Sequence, residues 1–446
     1  MQRTRWGGIA DGRFRASGFF RVDEDNGVFW LVDPDGGRFL SKGVNTVCFE
    51  HDHIRNTRRA PYADACREKY GRVDIWRAAT ADRLTGWKFN TLGCWSDELV
   101  AGAGSSPLAI APTIELGQSF RFHRRDEVFP DVFDPEFARH VRQSAIDKCT
   151  ARCGQRNLLG TFVDNELYWS PDWRGADELL TLFLNLSAFR PGRVAAVSRL
   201  QQHYREFSQF NAVWRTSARS WEELGRIGRI EAPFSRMSPG GSNDALEAKA
   251  NLADPRRAAF SADCDAFVAV AAEAYFELCV SAIKAADPNH LVIGSRFGYQ
   301  PYPAVVAAAG RHLDVISFNC YGFDASAVID AFSVTDKPCL ISEFSFRGED
   351  SGLPNTHGAG PRVATQTERA RCLEHYVAAA LRKPAVVGYH WFEFADQPAE
   401  GRFDGENSNY GTVSIKDDAY GELTEAMTGV NAAAERIHAE AGRAPD

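Results

Sequence analysis

No two cysteines in this chain are spaced Cys-x-x-Cys. The ten cysteines (Cys48, Cys66, Cys94, Cys149, Cys153, Cys264, Cys279, Cys320, Cys339 and Cys372) are scattered, and three of them, 94, 320 and 339, sit inside apolar, strand-like runs. That distribution fits buried free thiols in a reducing compartment better than a disulfide framework. The N-terminal stretch MQRTRWGGIADGRF has no apolar centre of the kind a signal peptide needs. No apolar run approaches membrane-span length. The chain is therefore expected to be cytoplasmic, or secreted where a leader has been trimmed. A basic excess is also missing: 51 Lys+Arg against 59 Asp+Glu give a net charge of -8. The short arginine clusters at 55–60 and 121–126 read as solvated loop charge, and no nucleic-acid-reading module accompanies them. HExxH, GxSxG and Walker patterns are absent, so zinc-protease, serine-hydrolase and nucleotide-binding chemistry lack their minimum parts. There is no internal repeat and no low-complexity linker.

What remains is an ordinary globular balance, 44% hydrophobic and 25% charged, in 446 residues. The 12% of aromatic residues read first as a bulky core. Residues 14–44 look like short strands joined by tight turns at Asn26-Gly27 and Asp35-Gly36-Gly37, which is strong hairpin chemistry. Beyond them, apolar runs alternate with helical stretches. Eight such runs end in Asn45, Trp95, Glu115, Glu166, Arg296, Tyr321, Glu343 and Trp391. Eight strands with helices between them predict an α/β fold of the (β/α)8 TIM-barrel type, whose chemistry sits at the C-terminal strand ends. A doubly wound sheet is the alternative, but no Gly-rich phosphate turn follows the first strand. The expected organisation is a β-hairpin region over 1–36 packed on a barrel over 37–446. A long helical insertion after the fourth strand covers 171–286, with a loop at 235–255 inside it.

The run TFVDNELYWS, 161–170, places Asp164, Asn165 and Glu166 side by side at the end of an apolar strand. Glu343 closes the seventh strand in the same manner. Two carboxylates delivered to one barrel mouth can divide acid and nucleophile work, as in retaining glycosidases, where the pair stands about 5–5.5 Å apart. Each glutamate alone is equally well read as half of a rim ion pair with an arginine. Simple alternation puts Asp164 and Glu166 on one face and Asn165 on the other. For both Asn165 and Glu166 to reach substrate the strand must bend, which leaves Asp164 as a supporting group.

Asn165-Glu166 on strand four, Tyr321 on strand six, Glu343 on strand seven and Trp391 on strand eight resemble glycoside hydrolase clan A. The stretches VFPDVFDPEFA (128–138), VDNELYWS (163–170), ISEFSF (341–346) and HWFEFADQPAEGRFDGENSNYGTVS (390–414) are most similar to the agarase-like family. They cover about a fifth of the chain. The resemblance implies a retaining β-glycoside hydrolase with Glu166 as acid/base and Glu343 as nucleophile. Asn165 would hold the sugar 2-hydroxyl and Tyr321 would orient the nucleophile. Trp391 would form the subsite floor through a cis peptide. Asn45, Trp95 and Glu393 complete the expected substrate contacts, and Asp396 is a weaker candidate. A neutral, galactose-containing carbohydrate is the expected partner, with no cofactor, metal, nucleic acid or membrane. Three other readings stay open: a hydrolase of gluco- or manno-configured β-glycans, a sugar-binding barrel without catalysis, and a metal-dependent amidohydrolase. The last rests on His51-x-His53, and it lacks the further histidines such sites need at later strand ends. The two histidines are expected instead as loop groups beside the cleft.

Overall fold

A computed structural model of the chain describes residues 2–123, 128–234, 236 and 254–441. Its strands, in chain order, are β1 (Arg21–Asp25), β2 (Val28–Val32), β3 (Arg38–Phe39), β4 (Ser41–Val44), β5 (Thr91–Leu92), β6 (Ala109–Ile110) and β7 (Gly160–Thr161). They continue with β8 (Leu291–Val292), β9 (Ile316–Asn319), β10 (Cys339–Phe344), β11 (Arg347–Gly348), β12 (Arg362–Val363) and β13 (Val386–Trp391). The first three form an antiparallel sheet. Asn26 and Gly27 both have positive φ, 55° and 77°, the two-residue turn that matches strand twist, and they set Asp25 opposite Val28. The hairpin expected around Asn26-Gly27 is thus present, and β3 adds to it through Leu31 and Phe39.

The centre of the molecule is parallel. One sheet runs β6-β5-β4-β13-β10-β9, and a second pairs β7 with β8. Isolated parallel bridges run between the two: Ile110 to Leu158 and Thr113 to Phe162 on one side, Phe297 to Phe318 on the other. Every residue of β10 and of β13 is buried, as expected for parallel strands covered on both faces. Trp6, Phe20, Leu31 and Phe39 of the N-terminal segment share a core cluster with Ala109, Leu159, Leu291, Val315, Leu340 and Val387, at or near the starts of parallel strands. That packing covers the N-terminal ends of the strands and leaves their C-terminal ends for other work.

Helices surround the strands. Asp134 caps the helix Pro135–Cys149 by accepting from the Glu136 amide at 2.8 Å, with Pro135 in the first turn where no donor is lost. The tract after β7 is helical, with helices at Leu179–Leu184, Pro191–His203, Phe207–Trp214 and Trp221–Leu224, and then Arg256–Ala286. Asp263 ties it together, accepting from Tyr204 at 2.7 Å and Trp214 at 2.8 Å. The loop expected over 235–255 lies almost wholly outside the described residues. Arg256–Ala286 corrects one expectation: by length and composition it is long and apolar enough to cross a membrane. Here its Tyr275 and Phe276 rings pack on Trp169, so its apolar character serves the core. All ten cysteines are free thiols, six of them buried.

Candidate active site

The strand ends do not continue straight. Thr46, Trp95, Glu115, Glu166 and Arg296, at or beyond the ends of β4 to β8, all have left-handed φ between 46° and 58°. A non-glycine residue in that region costs about 1–2 kcal/mol, and five in succession redirect side chains that strict alternation would send elsewhere. At Glu166 this turn separates the three polar neighbours. Asp164 is buried and accepts from the amides of Gly117 and Gln118 at 2.6 and 2.9 Å, in the first turn of the helix Leu116–His123. It also accepts from the Tyr275 hydroxyl. Burial pushes its carboxyl up to about 6, against those three donors. Asp164 therefore joins β7 to two helices. Asn165 and Glu166 turn together toward Asn319, whose Nδ2 donates to Glu166 Oε1 at 2.8 Å and lies 3.2 Å from Asn165 Oδ1.

Asn319 is also the register partner of Glu343, so the two glutamates flank one residue of β9. The side-chain Oδ1 of Asn319 accepts from Ser342 Oγ at 2.8 Å, which fixes the amide orientation. Glu343 is held on both oxygens: Arg296 at 2.5 Å on Oε1 and the Tyr321 hydroxyl at 2.6 Å on Oε2. Arg296 is fully buried, and burial and the Glu343 charge act on it in opposite directions, with its guanidinium remaining charged. The environments of the two carboxyls differ accordingly. Glu166 is pushed up to about 7, first by burial and then by the Glu343 charge, with Asn319, Arg174 and Arg296 pulling the other way. A carboxylic acid that keeps its proton to neutral pH beside a salt-bridged carboxylate can donate a proton while its neighbour supplies an electron pair. Gly298 makes room for this: a Cβ there would stand 2.9 Å from Glu166 Cγ and Cδ.

Trp95 is the expected site residue that stands most open, 39% exposed. Its indole donates to Glu115 at 2.9 Å, and the Arg296 guanidinium lies 4.5 Å from its ring. A cavity of about 220 Å³ opens beside it, lined among others by Gly93, Ser96, Thr113 and Glu115. Past β7, Trp173 is 60% exposed, with the Arg174 guanidinium 4.6 Å over its ring and Tyr299 edge-on at 6.0 Å. Arg174 in turn donates to the Glu166 carbonyl.

The structure places five of the expected residues inside the protein, away from an open rim. Asn45 is not a rim residue: fully buried, it donates to the carbonyls of Ser342 (2.9 Å) and Trp391 (3.2 Å) and accepts from the Cys94 amide (2.9 Å), cross-linking four strands. Trp391 is not a floor. It is 1% exposed, donates to the Tyr410 carbonyl at 2.9 Å and packs edge-on to Phe344, and the cis peptide is the next but one bond junction, Phe392–Glu393. Glu393 is fully buried, bonded to Gln397 at 3.0 Å and facing His51 and Arg402. His51 is buried as well, whereas His53 is exposed. Asp396 organises the loop after β13 through Asn409 and the Gly411 amide, at 2.8 and 2.9 Å. Two residues of the cluster escaped the sequence reading, Asn319 and Arg296. Arg296 had been noted as a strand end, and Asn319 lies two residues before Tyr321, on the same face by strand alternation.

No family model matches the chain. It is 27% identical to Beta-agarase B of Vibrio sp. (strain JT0107), aligned across 96% of this chain and 50% of that protein. It is 28% identical to Beta-agarase A of the same strain, across 93% of this chain and 45% of that protein. The chain thus spans about half the length of these relatives. Among solved structures it is similar to PfGH50B, with a TM-score of 0.78 and 25% identity over 98% of this chain and 69% of that one. An exo-beta-agarase structure, at 22% identity and a TM-score of 0.77 over 98% of this chain and 68% of that one, shares the fold.

Proposed function

We propose that this chain is a retaining β-glycoside hydrolase of the clan A type acting on agar-like, galactose-containing glycans. Its eight parallel strands would close into a (β/α)8 barrel, since the bridges beside β6–β7 and β8–β9 supply the two junctions between the sheets. The observation that carries the reading is the unequal treatment of the two glutamates. Arg296 and Tyr321 occupy both oxygens of Glu343, while Glu166 is desolvated and held by one neutral amide. Similarity to two beta-agarases supports the substrate class.

The double displacement follows from those roles. Glu166 gives its proton to the glycosidic oxygen as the bond to the anomeric carbon breaks. Glu343, held in place by Arg296 and Tyr321, attacks that carbon and forms a glycosyl ester through an oxocarbenium-like transition state. Glu166, now ionised, takes a proton from water, which attacks the same carbon and releases Glu343. Asn165 holds the 2-hydroxyl, and Trp95 stacks on a sugar ring beside the nucleophile.

The test uses Glu343→Gly on aryl β-galactosides and agar oligosaccharides, with and without azide. Loss of turnover and its rescue by azide, which enters the space the carboxylate leaves, is the expected result. Near-normal turnover without azide overturns the assignment of the nucleophile.

A further inference from the structure

Beyond the two glutamates, one buried polar cluster takes no part in the reaction proposed above. His51, Asp52 and Glu393 bring one ligand atom each to within 4.8 Å of one another. His51 and Glu393 have no exposed side-chain surface, and the Asp52 side chain retains 10%. Among the described residues, neither ring nitrogen of His51 makes a well-formed hydrogen bond, and neither does Asp52 Oδ2 or Glu393 Oε2. Backbone carbonyls of Thr46 and Ala395 lie close enough to the ring for long contacts. Buried polar atoms are seldom left without partners, because each costs its full desolvation. Here three of them face the same place.

The separations say what is missing. His51 Nε2 is 3.5 Å from Asp52 Oδ2 and 3.6 Å from Glu393 Oε2. These are too long for hydrogen bonds. They match the spacing of two ligands that share one small cation, about 3.4–3.6 Å for bonds of roughly 2.1 Å at tetrahedral to trigonal angles. Charge points the same way. Asp52, Glu393 and Glu406 surround a single guanidinium, Arg402, which satisfies Glu406 at 2.7 Å but stands 3.6 and 3.7 Å from the other two. Asp404, at 3.0 Å, shares the same guanidinium, so Asp52 and Glu393 are left without a close cation among the described residues.

We propose that His51, Asp52 and Glu393 bind a divalent first-row cation of the zinc or manganese class, with water completing the shell. One imidazole nitrogen and two carboxylate oxygens suit such ions better than calcium or magnesium, which prefer all-oxygen shells. The Thr46 and Ala395 carbonyls are then acceptors for the remaining ring N–H, the usual support of a metal-bound histidine. The cation fastens the loop after β4 to the loop after β13. Phe392, next to Glu393, packs on Tyr410 at 5.3 Å and Tyr321 at 6.2 Å, and Tyr321 holds Glu343. The site braces the wall of the catalytic cluster and does not enter its chemistry.

The experiment treats the purified chain with a chelator and titrates it separately with Zn²⁺, Mn²⁺, Ca²⁺ and Mg²⁺. Binding is read by calorimetry and by metal content after gel filtration, and thermal unfolding is followed in parallel. The expected result is a single equivalent of Zn²⁺ or Mn²⁺, bound more tightly than Ca²⁺ or Mg²⁺, with a raised unfolding midpoint. Both effects are lost in Glu393→Gln and in His51→Gln. Should neither variant fold, Co²⁺ added to the wild-type chain carries the test, because a nitrogen–oxygen site gives visible d–d bands that saturate at one equivalent. No binding by the wild type, binding unchanged in both variants, or Co²⁺ without such bands overturns the proposal.

Discussion

Asn319 stands between the two glutamates: its Nδ2 donates to Glu166 at 2.8 Å, and its backbone is paired in register with Glu343. The hydrogen bond favours the ionised form of Glu166 and so opposes burial, which raises it. Replacing Asn319 by Ala removes that opposition. The Glu166 carboxyl should then hold its proton to a higher pH, and the alkaline limb of the kcat/KM profile should move up from near 7. Turnover should fall at the same time, because the proposed deglycosylation step would use Glu166 as a base. General acid–base groups contribute about 10²–10⁴-fold, and losing one orienting bond should forfeit part of that. A pH–rate profile that keeps its alkaline limb would separate Asn319 from proton transfer.

The same raised carboxyl has a consequence for stability. Glu166 is pushed from 4.5 to about 7 in the folded chain. Between those values the folded protein binds a proton that the unfolded chain has lost, so stability falls as pH rises through the window. Glu166→Gln has no proton to lose. Its stability should equal wild type at about pH 4 and exceed it above pH 7 by up to about 3 kcal/mol, the free-energy equivalent of the shift. Denaturant unfolding of both proteins at the two pH values checks this. Equal stability at both would mean that Glu166 is not desolvated as the geometry implies.

How far the site could be read from sequence depends on which side of a strand end each residue falls. The apolar runs and their polar ends were legible because parallel strands buried on both faces must be apolar to their last residue. Glu166, Glu343, Tyr321 and Trp95 come together from four of those ends. Asn45 and Trp391 look the same in sequence yet lie one layer below. Asn45 Oδ1 sits so close to Gly93 that a Cβ there would stand 2.3 Å away. Trp391 is enclosed by Phe344, Phe346 and the Arg369 guanidinium. Depth along a strand depends on register with neighbours tens to hundreds of residues away, which no local pattern encodes. Arg296 was hidden for another reason. A buried guanidinium is recognisable only once its carboxylate partner is placed beside it, and Glu343 is 47 residues later.

That pairing sets a further expectation. Arg296 is fully buried, and its bond to Glu343 leaves the carboxylate otherwise dependent on Tyr321. Arg296→Met keeps the volume and removes the charge. Breaking a buried ion pair on one side typically costs about 3–5 kcal/mol, so the variant should unfold at markedly lower denaturant and lose turnover together. Tyr321→Phe deletes only a hydroxyl. It should lower kcat while changing stability far less, since one hydrogen bond is worth about 1 kcal/mol net. Measuring kcat and unfolding for both variants distinguishes the roles. If both changed only stability, neither group would be acting on the nucleophile.

Trp173 offers the last expectation, because Arg174 ties it to Glu166, the proposed acid. Arg174 binds the Glu166 carbonyl and covers one part of the Trp173 ring, while the indole stays 60% exposed. On the proposed mechanism, an exposed indole tied through Arg174 to the Glu166 backbone is placed to stack on the leaving-group sugar. On the same proposal Trp95, over Arg296, is placed for the sugar that Glu343 would attack. Removing Trp173 should therefore weaken long substrates selectively. A ring contact of about 1 kcal/mol corresponds to roughly fivefold in KM. Trp173→Ala should raise KM for agar oligosaccharides by about that factor and alter aryl-glycoside hydrolysis much less. Trp95→Ala should affect both substrates alike, since every substrate fills the subsite beside the nucleophile. Equal effects of the two substitutions on both substrates would mean that the aromatic residues do not lie on opposite sides of the scissile bond.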